Sequence, residues 1–413
     1  MVRRTFARTF LLLLAFAALP VSGSYAHAQE EESQQAAPSI DAATGKILNE
    51  AIEALNAESY DVAREAISTL NLEKLSPYER SRVEQILASI DYNQEDYTSA
   101  QGHLREAINA GGLNELELDQ VRYQIAQMYM AAERWAEGAA ALEEWLATAQ
   151  NPNSAAYYLL AVAYYQLEDY ERALPPAQKA VELTDNPQES WLQLVLALRL
   201  QRNQYAEAVP LLEKLIAQKP ENKSYWLQLS SVYGQLEDYP RALAVVQAAY
   251  SGGLVTAEED IRRLAELLLM NGIPYRAARV LETAIAGNTV KADTRTLERL
   301  ADCWIASGEY AKAIVPLERA AKLADDGDLF VRLGQVHIQR EQWPAAAKAL
   351  EQGINKGDLT DTGNAELMMG VALLNQQKTA EARDWLQRAA RSPNQRRTAR
   401  SYLQVIEAQT GRS

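Results

Sequence analysis

Ten times along the chain a small residue stands three places after an aromatic or a substitute for one. Tyr60 leads Ala63, Tyr97 leads Ala100, Trp135 leads Gly138, Tyr170 leads Ala173 and Tyr205 leads Ala208. Tyr239 then leads Ala242, Pro274 leads Ala277, Tyr310 leads Ala313, Trp343 leads Ala346 and Thr379 leads Ala382. The mean step is about 35 residues, the size of one supersecondary unit repeated. A chain with that period must be built from copies of one motif, each leaning on the next.

Each copy has the same grammar. A first segment carries a large apolar residue, another three places on, and then at once a small one, as in Trp226-Leu229-Ser230, Leu297-Leu300-Ala301 and Phe330-Leu333-Gly334. Three residues further stands a bulky group: Tyr129, Tyr164, Tyr233, Trp304 or His337. A short turn follows, holding Gly272 or Gly308 in two copies, and then the aromatic. The second segment places apolar residues four and seven after its small one, as in Leu317 and Ala320 after Ala313. Spacings of i, i+3, i+4 and i+7 mark one face of an amphipathic helix, and two per copy make a helical hairpin. The small residues let the two backbones approach, and the aromatic fills the gap at the turn. Burying one Tyr or Leu in such a seam contributes about 1.5–3 kcal/mol. A charge forced into Ala161 or Ala301 would add a clash and an unpaired ion. The first two copies have weak first helices, and Arg199 stands where the bulky group of the fifth belongs. Pro175, Pro176, Pro210 and Pro316 fall inside second helices, close enough to their starts to limit the loss; Pro240 and Pro344 fall at helix starts, where proline is tolerated.

The chain has 413 residues, 48% hydrophobic and 23% charged, so a large core is available and wholesale disorder is excluded. Lys and Arg number 41 against 55 Asp and Glu, a net charge of −14 that repels a polyanion, so no nucleic-acid partner is expected. One cysteine, Cys303, forbids an intrachain disulfide and a cysteine-based zinc site.

Residues 1–28 read as a secretory signal, with Arg3, Arg4 and Arg8, an apolar run from Phe10 to Leu19, and Ala26-His27-Ala28 as a small-x-small cleavage site. That run is too short for a permanent span, so export to the periplasm as a soluble protein is expected, with no membrane span after cleavage. Residues 29–43 form a flexible acidic lead-in, 44–393 the repeat array, and 394–413 a capping helix and basic tail. Within that tail Thr398 to Gln409 should form the last helix.

Catalysis finds little support. Cys303 and His337 lie one repeat apart on equivalent first helices, a conceivable nucleophile pair, but both occupy positions where thiol and imidazole usually just pack. No phosphate-binding glycine loop, dinucleotide fingerprint, His-Glu-x-x-His or calcium loop is present. No catalytic residue, cofactor or metal is expected. An array of hairpins offers instead a groove lined by its first helices. Its outward positions hold Tyr123, Gln127, Met130, Tyr158, Val162, Tyr165, Gln193, Leu200, Gln201, Ser231 and Gln235. Rings bury an extended peptide and amides bond its backbone, so these residues are the expected protein-binding surface. Copies seven and eight make the groove charged through Arg262, Glu266, Arg295, Glu298 and Asp302. The tail adds Arg388, Arg391, Arg396, Arg397 and Arg400, a basic face suited to an acidic partner or to phospholipid headgroups, or simply a solvated cap.

The residue pattern resembles the tetratricopeptide repeat, Trp-x2-Leu-Gly-x2-Tyr…Ala-x3-Phe-x2-Ala…Pro, over about ten copies from near Thr44 to Pro393. Departures are local: Gly138 replaces the Ala, and Pro274 and Thr379 replace the aromatic. The resemblance implies an all-α chain, an α-α superhelix of about ten helical hairpins plus a C-terminal capping helix, acting as a non-enzymatic scaffold for proteins. Many co-chaperones of that family grip a C-terminal carboxylate with Lys and Asn at positions that here hold Tyr, Gln and Leu, so that ligand class is not implied. The stretches 230–236, 271–282 and 316–327 are moreover similar to exported repeat proteins associated with TonB–ExbB–ExbD systems. That similarity implies a periplasmic accessory of TonB-dependent uptake, with TonB, ExbB or ExbD as partners. The alternative is an adaptor of another envelope machine, in outer-membrane assembly or polysaccharide export.

Overall fold

The computed structural model describes residues 39–410, so the expected signal and most of the acidic lead-in lie outside the described residues. Among the described residues the regular structure is helical: twenty-one α-helices, one 3-10 turn at Leu72–Lys74 and no strand. The chain divides into two compact units, Met1–Gln204 and Tyr205–Ser413. Each is an α-α solenoid of stacked hairpins, as the sequence pattern implies.

The first unit contains α1 (Ala42–Asn56), α2 (Tyr60–Ser68), α3 (Pro77–Asn93), α4 (Tyr97–Asn109), α5 (Glu115–Ala131), α6 (Trp135–Thr148), α7 (Ser154–Gln166), α8 (Tyr170–Glu182) and α9 (Glu189–Gln201). The second contains α10 (Tyr205–Gln218), α11 (Lys223–Gln235), α12 (Tyr239–Ser251), α13 (Glu258–Met270), α14 (Pro274–Ala286), α15 (Thr294–Ala306) and α16 (Tyr310–Leu323). It continues with α17 (Asp328–Gln339), α18 (Trp343–Lys356), α19 (Thr362–Asn375), α20 (Thr379–Ala389) and the capping helix α21 (Arg396–Thr410). All ten second helices begin at the aromatic or substitute that the period marks.

The turn before each of them is built the same way. The residue two places ahead takes a positive φ: Glu58, Glu95, Glu133, Glu168, Asn203, Glu237, Gly272, Gly308, Glu341 and Gln377. The next N–H reaches back to the carbonyl of the bulky position, as from Asp169 to Tyr164 at 2.9 Å and from Gln342 to His337 at 2.9 Å. That left-handed residue with its paired back-bonds satisfies the last carbonyls of the first helix. The bulky residue therefore marks where the helix ends as well as what fills the turn. At the fifth copy Arg199 keeps this backbone role, accepting from Gln204 N–H at 2.9 Å, and its guanidinium bonds the Gln204 side chain at 2.7 Å.

Packing follows the small residues. Ala63, Ala100, Ala173, Ala208, Ala242, Ala277, Ala313, Ala346 and Ala382 have no solvent exposure, and Gly138 is buried. A Cβ placed on Gly334 would lie 2.6 Å from Leu350 Cγ, and one on Gly370 2.7 Å from Leu386 Cγ, so the paired helices touch at these points. Ser230 Oγ donates to the Ala242 carbonyl at 3.0 Å, joining the two small positions of one hairpin. The prolines inside α8, α10 and α16 leave those helices continuous.

Two boundaries differ from the sequence reading. The array starts at Ala42, because Asp41 caps α1 by accepting the Ala43 N–H, and α21 starts at Arg396. The first helices of the first two hairpins are also long, at 15 and 17 residues. At α3 this follows from a capping box: Ser76 accepts from Glu79 N–H, and the Glu79 carboxylate accepts from Ser76 N–H and Oγ–H, both at 2.8 Å, with Pro77 in the first turn.

Candidate partner-binding site

The residues expected to line a groove separate into three groups. Met130 and Tyr158 are core, only 6% and 4% exposed, which corrects their assignment as outward contacts. Met130 Sδ comes within 2.8 Å of where a Cβ on Gly138 would stand, so its thioether fills the space left by the missing alanine methyl. Tyr158 on α7 stacks on Trp191 of α9, ring centroids 5.4 Å apart at 28°. It faces the seam between successive hairpins, and burial raises its pKa.

Tyr123 and Tyr165 are half-buried. Tyr123 stacks on Trp145 of its own hairpin at 4.5 Å, and burial pushes its hydroxyl up to about 12, with a hydrogen bond to Gln127 opposing the shift. Tyr165 leans against Tyr170 at 5.6 Å. Val162, Gln193 and Leu200 are likewise half-buried. Gln201 in the first unit, and Ser231 and Gln235 in the second, are exposed.

The first unit holds a cavity of about 530 Å³ among residues the sequence reading did not single out. Three consecutive first helices line it. Leu48, Ile52, Ile86 and Val121 supply an apolar floor, and Asn49, Gln85, Ser89, Gln120 and Gln124 supply amide and hydroxyl groups, with Lys46 and Arg82 among the lining residues. Amides at the equivalent positions Asn49 and Gln124, with Gln85 one residue out of phase, were the available signal. The weak pattern of the first two copies hid it.

The second unit holds a cavity of about 650 Å³ along α13 and α15, where the charged copies were expected. Arg262, Arg263, Glu266, Arg295 and Arg299 line it. Arg262 is largely spent on structure: it bonds Glu258 at 2.5 Å, Asp293 at 3.0 Å and Thr296 at 2.6 Å. Glu298 and Asp302 instead hold Arg332 from α17, which ties consecutive first helices together. Lys223 does the same for α11 and α13 through Asp260 at 2.8 Å.

Of the residues that raised a catalytic alternative, Cys303 is enclosed in the core and His337 is engaged within its own turn. Cys303 is fully buried, and burial with the Asp302 carboxylate beside it pushes its thiol up to about 12. His337 Nδ1 lies 2.8 Å from Gln342 Oε1, across its own turn. The other described histidine, His103, sits between carboxylates: Nδ1 is 2.6 Å from Glu84 and Nε2 is 3.4 Å from buried Asp91, which also pairs with Arg64. Among the described residues, none of these arrangements joins an accessible nucleophile to a base. Nor, among them, do three or more His, Cys, Asp or Glu side chains gather as a metal site.

The tetratricopeptide repeat family model matches residues 123–189, 197–254 and 331–396. No curated protein matches the sequence. Solved structures similar to the chain include YrrB, described as a TPR protein with an unusual peptide-binding site, at 20% identity and a TM-score of 0.35 over 41% of this chain and 84% of that one. The Cut9–Hcn1 hetero-tetramer of APC/C gives 13% identity and 0.34 over 88% and 96%. The TPR2AB-domain:pHSP90 complex of yeast Sti1 gives 15% and 0.30 over 62% and 96%. The hairpins and their turns form an α-α solenoid, and its stretches 123–189, 197–254 and 331–396 are similar to tetratricopeptide repeats.

Proposed function

We propose that the chain is a non-enzymatic periplasmic scaffold that holds an extended segment of a protein partner along its first helices. The observation behind this is the 530 Å³ cavity, where three successive first helices present an apolar floor with amides around it. Such a surface buries side chains of an extended peptide while amides bond its backbone. The compartment rests on the signal-like residues 1–28, and among the described residues no helix is long and apolar enough to cross a membrane. The partner class rests on the similarity to exported repeat proteins of TonB–ExbB–ExbD systems: the protein is an accessory that helps such a complex act on outer-membrane transporters.

Crosslinking in intact cells followed by purification of the full chain tests both parts. Recovery of TonB, ExbB or ExbD is expected, with a lower yield from an Asn49→Arg, Gln124→Arg variant of unchanged helicity. Recovery of outer-membrane assembly or polysaccharide-export components as the sole partners would transfer the scaffold to that machine. Recovery of no protein at saturating crosslinking would end the scaffold reading.

A further inference from the structure

The last hairpin and its cap carry a patch of positive charge with few acids beside it. Arg388, Arg391, Arg396, Arg397 and Arg400 are all exposed. Arg388 lies over the Trp385 ring at 4.4 Å, and Arg396 Nε donates to the Ala390 carbonyl at 3.4 Å, both neutral groups. The acid whose titration this patch touches is Glu366 on α19: burial raises its pKa, and the charges of Arg388 and Arg391 oppose the shift. Elsewhere in the same unit Arg241, Arg262, Arg279, Arg299 and Arg332 each meet a carboxylate within 4 Å. Over residues 383–410 the acids are Asp384 and Glu407 alone, in a chain whose net charge is −14.

The patch also has apolar and aromatic company. Ala399 and Ile406 anchor α21 on Leu386 and Ala389, so the capping helix is held with a defined face outward. Val405 on that helix is 49% exposed, and Trp385 and Tyr402 are half-buried in the same terminal assembly. None of the five arginines lines either cavity described above. An outward face of guanidinium forks with an exposed aliphatic residue and half-exposed rings fits a broad anionic layer. The negative charge over the remainder of the chain is repelled by such a layer, which favours contact through the cap.

We propose that the terminal cap docks this protein on an anionic phospholipid surface, with headgroup phosphates paired to Arg388, Arg391, Arg396, Arg397 and Arg400. The contact is peripheral and salt-sensitive, and it is independent of which protein the first-helix cavity holds. Each arginine near such a surface strengthens partitioning by roughly five-fold. Removing three therefore lowers it by about two orders of magnitude.

Co-sedimentation of the full chain with vesicles provides the test. Vesicles of about 30% phosphatidylglycerol in phosphatidylcholine should carry the protein down at low salt. Pure phosphatidylcholine vesicles should not, and NaCl at about 0.5 M should release it. Arg391→Gln, Arg397→Gln, Arg400→Gln should lose at least about ten-fold in binding with unchanged circular dichroism, and the matching triple Lys variant should retain most of it. No sedimentation with anionic vesicles at low salt would overturn the proposal, as would equal binding by wild type and the Gln variant. Capture of poly-glutamate in preference to vesicles of equal total charge would overturn it too, by assigning the patch to an acidic protein.

Discussion

Tyr158 lies on Trp191 with ring planes 28° apart, and this stack closes the seam between the hairpins that begin at α7 and α9. Its size and burial make it a structural element of the first unit. Tyr158→Ala is expected to cost about 3–5 kcal/mol of stability, as large-to-small core changes do. Tyr165→Ala, at a half-buried ring, should cost distinctly less. Chemical denaturation of both variants checks this; equal small losses would show that Tyr158 is a surface ring.

His103 supplies a pH dependence. The hydrogen bond to Glu84 holds its pKa above the ordinary value; burial opposes this, the charges of Glu84 and Asp91 reinforce it, and Arg64 opposes it. Only the imidazolium can donate from both ring nitrogens to its two carboxylates. A raised folded pKa contributes stability that is fully present below the unfolded value near ~6.5 and is lost as pH rises through the folded value. The denaturation midpoint of the wild type should therefore fall, relative to that of His103→Gln, as pH rises from about 6 to about 9. Parallel profiles for the two proteins would remove His103 from the account.

Cys303 should be chemically silent in the folded protein. With the thiol buried and its pKa pushed up to about 12, the thiolate that reacts is scarce at about pH 8. A disulfide exchange reagent should label it only after denaturant is added. Rapid labelling of the native chain under those conditions would contradict that burial.

A left-handed residue recurs in all ten turns, strained where it carries a Cβ and relaxed at Gly272 and Gly308. Gly308 sits at φ 77°, and an added Cβ there would have no other side chain or loop atom within 4 Å. Gly308→Ala therefore isolates the backbone cost and should destabilise by about 1 kcal/mol. Glu168 adopts φ 61° in the same role, and Glu168→Gly should be neutral or mildly stabilising. Thermal denaturation of the pair distinguishes the two signs.

The turns carry more information than the repeat period reveals. In Glu95-Asp96-Tyr97, Glu168-Asp169-Tyr170 and Glu237-Asp238-Tyr239, the Glu takes the left-handed conformation, the Asp caps the second helix and the Tyr begins it. The period marks the Tyr. It does not mark the Glu-Asp pair, because a non-glycine residue at positive φ leaves a weak trace in one sequence. Gly138 gives the opposite lesson. It looks like a simple departure from alanine until Met130 is seen filling the missing methyl's place.

The amino-acid order alone determined the hairpins, their phase and the small residues at which paired helices touch, because those features depend on contacts a few residues apart and recur along the chain. Tertiary structure decided which side of each first helix faces a neighbouring hairpin and which faces solvent. One residue along a helix is a turn of about 100°, so Tyr158 and its neighbours look interchangeable in the pattern. Only the packing of successive hairpins put Tyr158 in a seam, opened a cavity against α1, α3 and α5, and left the arginines of the cap outward.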